Sequence, residues 1–302
     1  MAITKITTPE LFNLQSNNTE GTRLPVMTTT QREAMTGMSN GELIFNSTTD
    51  SVEYYDAGVP AWYKIDYAAP ALDTELRSFL NASNAASYDG SQGTVWTDLT
   101  TNSNNGTLTN MSASNWNSSG YFDFNGSNEY VVMAYQSSLT NVSFSNNFSY
   151  SLWFNADSFT NTALPTLFGA FGTHYTYTAL TNQSKLRTTV YSTSAVQTDE
   201  ISTTTLSTGV WYNATITKSD SSGANPGLTI YLYGPSGLLE TMNSSTATQP
   251  NATKNAYTSW GAYNSSTSFQ YYFNGQMAQT RIYSKVLTSA EATAIFNEGK
   301  GF

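Results

Sequence analysis

The sequence predicts an all-β protein, and three observations carry that prediction. Aromatic residues make up 14% of the chain, with 20 Tyr, 15 Phe and 6 Trp, and aromatic side chains suit a pleated, half-buried surface. Charged residues reach only 11% against 39% hydrophobic, unlike disordered chains, where charge is high and aromatics are few. Segments of alternating polarity recur, bounded by Ser, Thr, Asn and Gly, the residues of turns.

Residues 1–22 carry scattered apolar positions, Ile3 and Ile6 among them, with no clear period. Such an arm does not fold alone and is expected to lie on a neighbouring chain. Residues 23–66 read as a small β-rich module. Thr30-Gln31-Arg32-Glu33 has the spacing of a capping box, which opens a helix that Gly37 can stop. "ELIFN", "SVEYYD" and "AWYKI" then read as three short strands joined by "STTD" and "AGVP". A unit this small, with no cysteine in the chain, rarely stabilises itself. Self-association, as a trimer, is the physical expectation.

Residues 67–72 read as a linker, and the second domain as 73–302. There "SYSLWFNAD", "LRTTVYS", "VWYNATITKS", "LTIYLYG" and "AQTRIYS" show the spacing of a sandwich or barrel. The stretch "YFDFNGSNEYVVM" reads as two paired strands around an Asn-Gly turn. Only "LTSAEATAIFNEGKG" turns helical, with Thr288 as N-cap, Glu291 three residues on, Gly299 as the stop, and Ile295 and Phe296 to dock it.

The net charge of −9 with no basic patch argues against a nucleic-acid partner. No run approaches the roughly 20 apolar residues of a membrane span, and "MAITKITTPELF" lacks the basic and apolar regions of a signal peptide. Synthesis in a cytoplasm without export by that route is the expectation. With no cysteine and one histidine, His174, a triad or zinc site is not expected. "TDEIS" places its carboxylates on adjacent residues, which diverge along a strand, so the paired carboxyls of a glycosidase are missing and the chain reads as a non-enzyme.

Two readings of binding chemistry remain. Trp260, Tyr263, Tyr175 and Tyr177 sit in turn-rich segments, "TSWGAYNSS" and "THYTYT", where a ring can cover a sugar's C–H face while amides and hydroxyls meet its oxygens. Their alternative is packing between subunits or within loops. Trp96, Trp153 and Trp211 read as core. Asp123, Asn125 and Glu129 could offer oxygens to Ca²⁺, which favours carboxylates. The turn reading of that segment is preferred, and no cofactor is expected.

Leu24-Pro25, Thr29-Thr30-Gln31-Arg32, Gly41 to Thr49 and Trp62 resemble a short module near the N-terminus of phage tail-fibre and related virion proteins. The match covers about forty residues, with one residue missing between Thr30 and Gln31 and a looser Tyr54-Tyr55 and Gly58-Val59-Pro60 part. It implies attachment or oligomerisation through Ile3, Ile6, Leu24, Pro25 and Trp62, other virion proteins as partners, and a place on the virion, on tail or capsid. Residues 73–302 resemble, in five ordered blocks, a laminin G-like jelly roll of the concanavalin A-like superfamily. That resemblance implies an antiparallel two-sheet jelly roll able to meet host-surface glycans. A stand-alone glycan-binding adhesin is the alternative function, and a polysaccharide-acting enzyme is disfavoured.

Overall fold

A computed structural model of the chain describes residues 24–49, 51–64, 71–134, 147–159, 164–170, 176–191, 197–219, 227–244, 258–265 and 268–299. The chain divides into two compact units, 1–68 and 69–302.

The first unit is a four-stranded sheet of β1 (Val26–Met27), β2 (Leu43–Asn46), β3 (Ser51–Asp56) and β4 (Ala61–Lys64), in that spatial order. The three expected strands form an antiparallel meander, and β1 adds to it in parallel. The helix α1 (Thr29–Glu33) starts two residues earlier than the capping-box reading placed it. Thr28 is the N-cap: its hydroxyl accepts from Gln31 N, and Gln31 Oε1 accepts from Thr28 N at 2.8 Å. Thr28-x-x-Gln31 satisfies the same spacing rule as Thr30-x-x-Glu33. Glu33 instead stays solvent-facing and pairs with Arg32.

The strands of the second unit run β5 (Leu76–Asn81), β6 (Val95–Trp96), β7 (Gly106–Thr109), β8 (Trp116–Asn117), β9 (Tyr121–Asn125), β10 (Tyr130–Met133) and β11 (Phe148–Ala156). Then follow β12 (Thr166–Ala170), β13 (Thr176–Leu180), β14 (Leu186–Tyr191), β15 (Gln197–Ile201), β16 (Trp211–Lys218), β17 (Leu228–Gly234) and β18 (Gly237–Ser244). β19 (Thr258–Trp260), β20 (Tyr263–Ser265), β21 (Ser268–Gln270) and β22 (Asn274–Tyr283) precede the helix α2 (Ser289–Gly299). One sheet has the order β18-β17-β16-β11-β22-β9-β8, with β5 also on β22. The other has the order β15-β14-β13-β12-β19-β10-β7-β6. This is the expected antiparallel two-sheet jelly roll.

The two sheets meet through aromatic rings. Tyr150 of β11 stacks on Phe168 of β12 at 3.9 Å, and Phe122 of β9 meets Trp96 of β6 at 4.8 Å. The Tyr150 hydroxyl is hydrogen-bonded to Thr178 Oγ1 at 2.7 Å, so the one polar end of that buried ring is satisfied. Burial pushes its pKa up. β11 is buried along almost its whole length because its second face is covered too, Trp153 by α2 and Ser149 by residues 285–287. Phe296 stacks on Trp153 at 5.3 Å and on Tyr233 at 4.7 Å, while Ile295 packs with Tyr283 and Leu287. The predicted capping pair is present: Glu291 Oε2 accepts from Thr288 N at 2.7 Å. Gly299 ends the described helix where a Cβ would fall 2.2 Å from Trp153 Nε1, so glycine is needed there for close approach. Trp96 and Trp153 are core residues as read, and Trp211 is half-buried against Tyr121.

β9 and β10 do not pair with each other, contrary to the sequence reading. β9 pairs with β8 and β22 in one sheet, and β10 with β7 and β19 in the other. The Asn-Gly segment is therefore a corner where the chain crosses between sheets. Among the described residues no helix is long and apolar enough to cross a membrane.

Candidate functional site

The segment 258–273 leaves the sheet and returns to it. Gly261 (φ +82°) makes the exit, where a Cβ would lie 2.7 Å from Phe124 Cε1, and its N–H donates to Leu167 O. β20 and β21 then form a short hairpin, pairing Tyr263 with Gln270 and Asn264 with Phe269. The return is tied by Thr166 N to Tyr271 O at 2.8 Å and Phe273 N to Gly261 O at 2.9 Å. Phe273 is buried in the core between these ties and β22.

The hairpin carries aromatic rings to the surface. Phe269 stacks on Tyr130 of β10 at 4.0 Å, with the planes 20° apart, and Tyr272 lies 6.1 Å from the same ring. Tyr263 meets Tyr271 at 5.7 Å and, edge to face, Tyr177 of β13 at 5.7 Å. Tyr272 donates its hydroxyl to Phe269 O at 2.8 Å, which fixes the ring, and burial beside Tyr130 raises its pKa. Tyr271 is 41% exposed and holds φ at +57°, a left-handed conformation that is uncommon for a bulky residue. Strain of this kind costs on the order of 1–3 kcal/mol and clusters at ligand sites. Asn110, Asn128 and Ser127 stand exposed beside Tyr130, and Asn110 Nδ2 donates to Asn128 O at 2.8 Å.

The candidate residues read from sequence divide on this geometry. Tyr263 is half-buried at the rim, where it meets the exposed Tyr271. Tyr177 lies beneath it, buried, as a support for Tyr263. Trp260 is withdrawn as a contact residue: it is fully buried in β19 between Phe168 and Val131 and offers no face to a ligand. Tyr175 and His174 lie outside the described residues, as do Ile3 and Ile6. Tyr130, Phe269, Tyr271 and Tyr272 were missed. Four aromatics among residues 269–273, after a Ser/Thr/Asn-rich run, are the sequence signal for them. One strand face cannot hide so many rings.

The oxygens of the Asn-Gly corner are engaged within it. Asn125 Oδ1 accepts from Ser127 N at 2.8 Å and Asn128 N at 3.2 Å. Glu129 accepts from Asn125 N at 2.7 Å and from Asn115 Nδ2 at 2.9 Å. Asp123 sits on β9 opposite Gln276, alternating with the buried Phe122 and Phe124. Among the described residues no three His, Cys, Asp or Glu side chains are grouped to hold a metal. In the small module Leu24 and Pro25 precede β1, Pro25 being exposed, and Trp62 is half-buried against Tyr55 at 5.4 Å. On β15, Asp199 holds Arg187 through two bonds of 2.7 and 2.6 Å.

The two antiparallel sheets define a jelly-roll class of domain, with Tyr271 exposed at its rim and Tyr130, Tyr263, Phe269 and Tyr272 half-buried there. Residues 124–293 match the laminin G-type model of the concanavalin A-like lectin/glucanases superfamily, and the chain belongs to that superfamily. Among solved structures it is similar to the receptor-binding domain of botulinum neurotoxin C/D mosaic serotype, at 14% identity and a TM-score of 0.50, covering 75% of this chain and 52% of that one. It is also similar to a structure of botulinum neurotoxin type C, whose cell entry depends upon interaction with two ganglioside molecules, at 13% identity and a TM-score of 0.53, covering 76% and 53%. A third is the binding domain of botulinum neurotoxin DC in complex with SialylT, at 15% identity and a TM-score of 0.52, covering 76% and 52%. The chain spans about half the length of these structures, and at such identity the likeness is one of fold. No curated protein sequence matches the chain.

Proposed function

We propose that this protein is a bacteriophage virion structural protein, an appendage fibre or capsid decoration protein, whose jelly roll attaches to host-surface glycans. The observation that carries the binding reading is the exposed ring of Tyr271 against half-buried Tyr263, together with a second ring group of half-buried Tyr130, Phe269 and Tyr272 that has exposed Asn and Ser at its edge. Aromatic planes with adjacent amides suit the apolar faces and hydroxyls of a sugar. The resemblance of residues 23–65 to virion modules supports the particle location, with synthesis in the host cytoplasm, assembly as a homotrimer and contact with other virion proteins. The separation of Asp199 from Glu200 on adjacent residues of β15, and the engagement of Asp199 with Arg187, support a binder over an enzyme. No cofactor is proposed.

Tyr271→Gly tests the site. Glycine accepts the left-handed conformation without strain, so the melting temperature should hold or rise while the ring is lost. Glycan-array binding should fall at least tenfold against the unaltered chain, and unchanged binding would discard this cluster. An antibody to residues 73–302 should label purified particles. Failure to label them, with glycan binding intact, would favour the stand-alone adhesin.

A further inference from the structure

The outer face of the sheet that holds β11 carries a ring pair beside a row of polar side chains. Register sets Asp123 of β9, Gln276 of β22, Asn155 of β11 and Trp211 of β16 opposite one another across four neighbouring strands. The core residues Phe122, Phe124, Phe154 and Tyr212 alternate with them, so the row points away from the core. Tyr121 shares the face of Asp123, and its ring lies 5.8 Å from that of Trp211 with the planes 58° apart. β22 and β11 stand between these two strands, so the half-buried rings reach toward each other across the sheet, alongside Gln276 and Asn155. Two acceptors of the row lack donors. Asn155 Oδ1 is buried and has no hydrogen-bond partner. The Asp123 carboxylate is half-buried and receives no donor from the described residues. Gln276 Nε2 is already engaged, donating to the Asp157 carboxylate at 3.1 and 3.2 Å.

A buried acceptor without a donor is costly, and a donor from outside the chain relieves that cost. We infer that this row takes the ammonium group of an amino sugar. The protonated amine meets the Asp123 carboxylate and Asn155 Oδ1, and the sugar's C–H face lies on the Tyr121 and Trp211 rings. This rests on the glycan reading above and names a substrate class for it. Charge selects the class. Asp123 and Asp157 bring two carboxylates to the row, and no lysine or arginine stands in it, so an acidic sugar is repelled and a neutral one leaves Asp123 uncompensated. Ring faces add to the preference, because an ammonium beside a Trp or Tyr face is attracted by the ring quadrupole. Position favours a sugar over a protein lysine. Four residues separate Tyr272 of the aromatic hairpin from Gln276 of the row, at most roughly 14 Å of chain, so one short glycan can touch both.

Isothermal titration calorimetry on the full chain, with a β-1,4-linked glucosamine tetramer and with its fully N-acetylated counterpart, decides the matter. The free amine should bind at least tenfold more tightly than the acetylated form. Asp123→Asn keeps the shape of the side chain, so the melting temperature should hold while the affinity for the amine falls at least tenfold. Tyr121→Leu should weaken it as well. Glu33→Gln removes the same charge from the exposed helix of the first unit and should change nothing. Equal losses in Asp123→Asn and Glu33→Gln would mean bulk attraction of a polycation to a chain of net charge −9 and would overturn the inference. So would equal affinity for the two tetramers. A lysine tetrapeptide that binds through Asp123 where the glucosamine tetramer does not would overturn it too, in favour of a protein side chain. Tyr271→Gly should leave the dependence on Asp123 in place, so failure of the hairpin as a glycan site and failure of this row are read separately.

Discussion

Trp260→Ala should cost the jelly roll about 4 kcal/mol, as large-to-small changes of a buried Trp do. Trp260 is 0% exposed, its ring lies 4.7 Å from that of Phe168, and its Nε1 donates to Met133 Sδ at 3.3 Å. It stands on β19, in the middle of its sheet, with β10 and β12 on either side. The cavity would therefore be walled by strands held by their own ladders and could not collapse around the smaller side chain. For a domain of this size the melting temperature should fall by roughly 8–16 °C. Circular dichroism against temperature measures it. A variant that kept its melting temperature and lost glycan binding would return Trp260 to the surface and break the assignment of β19. Tyr271→Gly, only eleven residues on, should do the reverse.

The contrast between these two residues shows how far the sequence could be read. Strand periodicity in "SYSLWFNAD" and "VWYNATITKS" is local, and so is the Thr288–Glu291 cap, so both were legible before any fold was known. Trp260 was misread because "TSWGAYNSS" looks like a turn by composition, while its burial comes from β10 and β12, whose paired positions are about 130 and 90 residues away. The aromatic cluster escaped for the same reason. Its rings form two groups, Tyr130 with Phe269 and Tyr272, and Tyr263 with Tyr177 and Tyr271, and only the pairing order of the sheet brings each group together. The Asn-Gly corner was recognised as a turn, yet nothing in thirteen residues says whether a turn joins neighbours in one sheet or crosses to another. The start of α1 was ambiguous between two overlapping Thr-x-x-Gln/Glu patterns. The tertiary pairing of Arg32 with Glu53 leaves Glu33 outside.

Glu53→Ala should unfold the small module while leaving the jelly roll folded. Glu53 is 3% exposed and accepts from Arg32, Asn46 and Thr49. Removing one partner of a buried ion pair costs about 3 kcal/mol or more, because Arg32 and Asn46 each lose their buried acceptor and keep only Glu33 and Thr29. A unit of this size with few buried apolar side chains, Met27, Ile44 and Tyr55, has only a few kcal/mol to lose. Hydrogen exchange read peptide by peptide should show protection lost across residues 43–64 and kept on β11 and β16. Acid should imitate the substitution. Burial alone would raise the Glu53 pKa, but the hydrogen bonds from Arg32, Asn46 and Thr49 outweigh it and hold the carboxyl below its ordinary value. A carboxyl with a depressed folded pKa stabilises above its unfolded pKa, near 4.3, and that contribution drains away as pH falls through the folded value. Protection of residues 43–64 should therefore decline below about pH 4 in the unaltered chain. The alanine variant should show no such additional acid response. Equal acid sensitivity in both would mean that another carboxylate governs the module and that the Glu53 network is not what holds α1 to its sheet.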